Sequence, residues 1–258
     1  MVRQSSILLC LSLATAAAAP LALDPPAPKT VAVLYFDNYT GKSDYDALGK
    51  GISSMMISDL SPVKEISLVE RDRMQDLLKE IDLQHTKYFD STTSVKVGKM
   101  VGAEYVVVGA FAAVDPQVRI DTRVVRVATG EIVKTAQVTG DQNKFFDLEK
   151  ALAARLIDGL GIALNPEEAQ QVAAKQQADR IDALSTMTAF SQALALYDRQ
   201  DYTGAMEKMG PAIRASPNSM LLKVAFDGMK HRASTTAADK AKDKLKAGIG
   251  GLIKRPPQ

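Results

Sequence analysis

Cysteine occurs once in this chain of 258 residues, at Cys10, and histidine twice. Cys10 falls in a leader expected to be cut away, so the mature chain has no disulfide and no thiol chemistry. His85 and His231 each stand without a second His, Cys or carboxylate at ligand spacing, so both read as surface residues rather than zinc ligands. An excess of one charge is lacking too: 32 basic residues face 30 acidic ones, for a formal net charge of +2. That balance gives no footing for nucleic acid. Beyond the leader no apolar run is long enough to cross a bilayer, and the run at 104–111 has the length of a strand. There is no series of ten-residue alternating segments suited to an outer-membrane barrel. A Gly-x-Ser-x-Gly elbow and a phosphate-cradling Gly-x-x-x-x-Gly-Lys-Ser/Thr loop are also missing. No cofactor or metal is expected.

What is present starts at the amino terminus. Arg3, the apolar run Ile7 to Leu13 and the small residues Ala14 to Ala19 have the layout of a secretory signal peptide, read here as residues 1–19. A cut after Ala18 or Ala19 fits, and one near Ala22 is the alternative. Lipidation of Cys10 is the competing reading, but Leu9 puts a bulky side chain where a small one is expected. The expected address is the periplasm, away from ATP and nicotinamide pools.

The remaining chain of about 240 residues suffices for one large or two small domains. Residues 20–29, with Pro25, Pro26 and Pro28, form a stiff linker. The run 30–36 reads as a strand buried on both faces, ended by turn residues at Asp37-Asn38-Tyr39-Thr40-Gly41. Leu48, Ile52, Met55, Met56 and Leu60 make one helical stripe, stopped at Ser61-Pro62. A strand at 66–69 follows, then a helix opening at Glu70-Arg71-Asp72-Arg73. Another helix is capped within Ser91 to Ser94 and closed by Gly102. Strands at 104–113, 117–128 and 131–139, the last two a hairpin, precede a long helix from Phe146 to Leu160. The order β-α-β-α-α-β-β-β-α predicts an α/β domain over 30–162, a mixed-sheet sandwich.

An all-helical region follows over 163–232. It opens at Asn165-Pro166-Glu167-Glu168, continues through a polar connector at 170–178, and reaches a helix pair around Asp201-Tyr202 that ends at Ser216-Pro217-Asn218. The pair has the pattern of a tetratricopeptide repeat. A single repeat cannot bury both its faces. The pair is therefore expected to pack on the α/β domain, on the helix from Leu221 to Met229, or on another chain. Residues 233–258 form a basic tail, read as solvated and partly disordered because Gly248, Gly250 and Gly251 weaken a helix. The alternative is a short basic amphipathic segment giving peripheral contact with an anionic membrane surface.

Three passages, Val31 to Gly41, Leu68 to Met74 and Val101 to Phe111, resemble in order and spacing the periplasmic domain of CsgG, the curli secretion channel subunit. They are equally similar to the TolB amino-terminal and flagellar FlgO-type domains. The resemblance covers about residues 30–162. It implies a non-catalytic α/β domain of the periplasm or of the inner face of the outer membrane, serving transport or assembly of surface structures. A channel subunit also needs a lipidated cysteine, an extended constriction loop and two long membrane-inserting hairpins. Only a short loop, Tyr39 to Ala47, and a compact hairpin within 112–141 stand in their places.

No role is carried over from the family residue by residue. Two strand ends remain as candidate partner contacts. Arg71 and Arg73 lie in the densest charge cluster, where ligand sites of α/β folds gather; the alternative is a helix start with its arginines in solvent. Asp37, Asn38 and Tyr39 occupy the other strand end, where turn chemistry accounts for them equally well. The first functional reading is a non-enzymatic periplasmic scaffold with envelope protein partners, able to form a homo-oligomer. A secretion pore of the curli type comes second, and a hydrolase with an unrecognised site third.

Overall fold

The run 30–36 begins as the sequence suggests and then leaves the ladder. In the computed structural model, which describes residues 27–80 and 87–253, strand β1 is Lys29–Val33 and a two-residue strand β2 is Asp37–Asn38. Between them the Phe36 ring lies over Gly109, where a Cβ would sit 2.1 Å from the ring, and the Phe36 carbonyl presses against Gly49. Only glycine permits these approaches, and the Phe36 amide bonds Gly49 O at 3.3 Å instead of a neighbouring strand. The signal peptide, Cys10, the linker up to Pro26 and His85 lie outside the described residues.

The other strands are β3 (Ile66–Leu68), β4 (Tyr105–Val114), β5 (Gln117–Arg126) and β6 (Glu131–Asp141). Their order is β3-β1-β4-β5-β6, with β2 also on β4. β3, β1, β4 and β2 run parallel, while β4-β5-β6 is an antiparallel meander. One face of the sheet packs on α1 (Leu48–Leu60) and α4 (Phe145–Gly159), through Val31, Val33, Val107, Phe111, Ile120 and Val124. The other packs on α2 (Arg71–Glu80) and α3 (Ser91–Val101), through Ala32, Leu34, Val106, Val108 and Val125. This is the mixed-sheet α/β sandwich. Helix α3 is capped one residue earlier than the serine–threonine run suggested, since the Asp90 carboxylate accepts from Thr93 N at 2.9 Å. Gly102 closes it at φ 73°.

The helical region comprises α5 (Pro166–Ala178), α6 (Leu184–Asp198), α7 (Tyr202–Ala215) and α8 (Met220–Ile253). Asn165 and Glu168 close a capping box on α5. That helix is no free connector: Val172 and Gln176 are buried, and the Gln176 amide donates to Asp59 of α1 at 3.3 Å. Helix α6 lies on α1, α7 on α6, and α8 on α7. The pair thus rests on both the α/β domain and the following helix. At the seam Gly51 of α1 meets Ser191 and Met187 of α6; a Cβ at 51 would lie 1.9 Å from Ser191 Oγ. Met187, Phe190 and Leu194 are buried there, each worth roughly 1.5–3 kcal/mol. One core cluster consequently runs from the sheet through α1 into α8. The boundary expected at 232/233 falls inside α8, which stays helical to Ile253 where a partly disordered tail was expected.

Candidate functional site

Helix α2 starts beside the end of β3, and α6 ends opposite it. Asp198, the last residue of α6, therefore points into the gap between α2 and α1. Its side chain is 4% exposed and accepts from Arg71 Nη2 at 2.5 Å and from Lys50 Nζ of α1. Lys50 also donates to Gln75 Oε1 at 3.1 Å and lies 4.8 Å over the Tyr35 ring. The Tyr35 hydroxyl donates to the same Gln75 oxygen at 2.7 Å.

Burial dominates the titration of this group. It lowers Lys50 against the pull of Asp198 and pushes the Tyr35 phenol far up, with Arg71 opposing. Burial also disfavours a charged Arg71, but Tyr35 and Asp198 outweigh it and its pKa rises. One carboxylate thus holds two cations from two helices of the α/β domain.

The structure separates the two candidate arginines. Arg71 is tied inward to Asp198 rather than turned to solvent, whereas Arg73 is exposed. The strand-end trio also splits. Asp37 is buried and accepts from the backbone amides of Tyr88 and Phe89, both at 3.0 Å, so it clasps the segment before α3. Asn38 holds its own turn, donating to Lys42 O and Asp46 Oδ1 and accepting from Thr40. Tyr39 is 50% exposed, with Lys87 Nζ 5.1 Å from its ring. The open face of β5 and β6 forms a shallow basin of about 860 Å³ between Tyr39, Phe89, Arg123 and Arg155. Its cations are already engaged: Arg123 stacks on Phe89 at 3.9 Å, Arg119 pairs with Asp121 and Lys134 with Asp158.

A second polar cluster was missed in the sequence. Asp59 of α1 and Glu149 of α4 face each other in the core, and Gln176, Lys175 and Asp179 close over them from α5. Among the described residues no N–H reaches either oxygen of Glu149, which leaves Asp59 as its polar neighbour. Burial raises Glu149 well above its ordinary value, with Asp59 adding to the shift, and burial raises Asp59 as well. The signal was legible: Glu149 interrupts the apolar stripe of Phe145, Leu152 and Leu156, and Asp59 that of Ile52, Met55 and Met56. Among the described residues no group of three His, Cys, Asp or Glu is placed to hold a metal ion.

Residues 15–119 match the family model of the curli production assembly/transport component CsgG. This stretch is similar to the CsgG family domain. The match ends three residues into β5, while the folded unit that contains the matched stretch closes with α4. No curated protein matches the sequence. The chain is similar to the LpoB C-terminal domain from Salmonella enterica, at 17% identity and TM-score 0.38 over 46% of this chain and 87% of that one. It is similar to the lipoprotein GNA1162 from Neisseria meningitidis, at 12% and 0.38 over 54% and 100%. A PelC dodecamer from Paraburkholderia phytofirmans gives 17% and 0.34 over 54% and 90%.

Proposed function

We propose that the protein is a non-enzymatic periplasmic scaffold that binds envelope partners during transport or assembly of surface structures. The family match over residues 15–119 is the observation that supports this reading most directly. The packing is consistent with it, because the helical region is fastened to the α/β domain as one body and leaves Arg73 and Tyr39 on the outside. Among the described residues no helix is long and apolar enough to cross a membrane.

The second reading is a secretion channel subunit, and the same family match favours it. Against it stands the use already made of the antiparallel strands. Val118, Ile120, Val124 and Val138 point into the core against α4 and α1, so β5 and β6 have no free apolar face for lipid. A hydrolase is the third reading, and its first candidates, Asp59 and Glu149, are sealed in the core.

The native mass of the protein extracted from its own envelope in mild detergent tests these readings. A complex with one or a few envelope proteins supports the scaffold. A homomeric ring of several hundred kilodaltons would replace it with the channel. A lone monomer that co-purifies with nothing, before and after crosslinking, would remove both.

A further inference from the structure

Helix α8 outruns the body it belongs to. Leu222 and Met229 are buried where α8 lies on α7, and Met229 is the last buried residue among those described, yet the helix continues to Ile253. From Lys230 to Asp239 every residue is exposed or half-exposed. At 1.5 Å per residue, position 245 stands about 24 Å along the axis from Met229. Charge is segregated the same way. Residues 230–255 hold eight Lys and Arg against two Asp, a net +6 in a chain of +2, so the remainder carries a net −4. At 3.6 residues per turn, positions 245, 249, 252 and 253, all Leu or Ile, share one stripe. That stripe lies on nearly the opposite side of the helix from Leu222, Ala225 and Met229, so α7 does not cover it by a continuation of the same packing. Positions 242 and 246 border the stripe on one side and 244 on the other, and all three are lysines.

We propose that the distal part of α8, residues 240–253, lies flat on an anionic lipid surface, with its Leu and Ile stripe in the acyl boundary and its lysines among the headgroups. A helix with one apolar stripe bordered by lysines binds in the plane of such a surface, and each cation near anionic lipid adds to the attraction. Lys242 decides between lipid and a second copy of the chain. Positions 238, 242, 245, 249 and 252 follow the 4-3 spacing of a coiled-coil seam, and pairing two helices through it would bury Lys242 at a cost in stability. On lipid the same lysine runs its stem along the apolar face and reaches the headgroups. The side of the stripe matters as well. With α7 and the body on the opposite side of α8, the helix rests on a surface without the body striking it. The negative body is then held off by at least a helix diameter of about 10 Å, beyond the screening length of about 8 Å in physiological salt. Gly248, Gly250 and Gly251 weaken the helix in water, which burial of the stripe in lipid offsets. Lipid contact of this kind is independent of the scaffold reading, which concerns the envelope partner rather than the surface.

Co-flotation of the full mature chain with vesicles of phosphatidylglycerol and phosphatidylcholine in equal parts, against vesicles of phosphatidylcholine alone, tests it. Binding to the anionic vesicles is expected to be at least about tenfold tighter, and to weaken when salt is raised from about 0.1 M to about 0.5 M. Leu245→Glu together with Ile249→Glu is expected to lower binding at least about tenfold with an unchanged melting temperature, because both positions lie beyond the last buried residue. Lys242→Gln, Lys244→Gln and Lys246→Gln together should remove the preference for phosphatidylglycerol. Equal binding to the two vesicles, no flotation at about 1 mM lipid, or flotation unchanged by the paired glutamates would overturn the proposal. A dimer in lipid-free solution that the paired glutamates split would also overturn it and give the stripe to a second copy. Loss of a native envelope complex in the same variant, without flotation of the unaltered chain, would give the stripe to a protein partner instead.

Discussion

Asp59 and Glu149 face one another across the core, from α1 and α4, and burial raises both carboxyls. Lys150, Lys175 and Asp179 are the other charges bearing on them. Burial raises Glu149 above its ordinary 4.5, so the folded chain holds a proton that the unfolded chain gives up. Stability should therefore be full below about pH 4.5 as far as this group is concerned, and fall as the pH rises through the folded value. The slope reaches about 1.4 kcal/mol per pH unit for one proton. Glu149→Gln supplies a permanent neutral donor to Asp59, and urea unfolding of this variant should lose that slope as the pH rises above about 4.5. Parallel curves for the two proteins would mean that the pair does not hold the proton.

Removing Asp198 leaves Lys50 and Arg71 as two buried cations without a counterion. Asp198→Ala is expected to cost about 3–5 kcal/mol, read from the urea midpoint. Replacing all three together, as Lys50→Met, Arg71→Met and Asp198→Leu, should recover most of the loss. A triple variant as weak as the single one would show that the network contributes more than mutual neutralisation.

Asp37→Ala takes the acceptor from the amides of Tyr88 and Phe89. The expected loss is about 1–3 kcal/mol, with faster hydrogen exchange at those two amides ahead of any global change. Unchanged protection there would contradict the clasp.

Truncation after Leu164 strips α1 of Met187, Phe190 and Leu194 and of the α5 cover over Asp59. The shortened chain is expected to aggregate or to bind a hydrophobic dye. A monodisperse fragment 27–164 with a cooperative melt would show that the α/β domain stands alone. Loss of a partner in this truncation reports first on folding, and the same holds for charge reversal at Arg71. Arg73→Glu is the cleaner probe of the exposed surface.

Element order and most boundaries of the α/β domain were legible because its apolar runs carry clean periods of two and 3.6. The misplaced end of β1 came from Gly49 and Gly109, whose small size matters only once distant chain segments meet. The stripe of α1 revealed one buried face; the second, where Gly51 lies, depends on α6, more than a hundred residues on. Arg71 and Arg73 look alike in sequence, since a charge next to a strand end carries no mark of which way it turns. That Asp198 would receive Arg71 was beyond local reading, for the two are joined only by the fold. Glu149 and Asp59 could have been found, as polar interruptions of otherwise apolar stripes.

Gly51 and Ser191 fit so closely that a methyl group at one would collide with the hydroxyl of the other. Drift at either position must then be answered at its counterpart, although the codons lie far apart in the gene. Recombination that exchanged the helical region between two proteins of this build would succeed only when both residues travelled together. The seam makes the two regions a single unit of inheritance, whatever their separate origins.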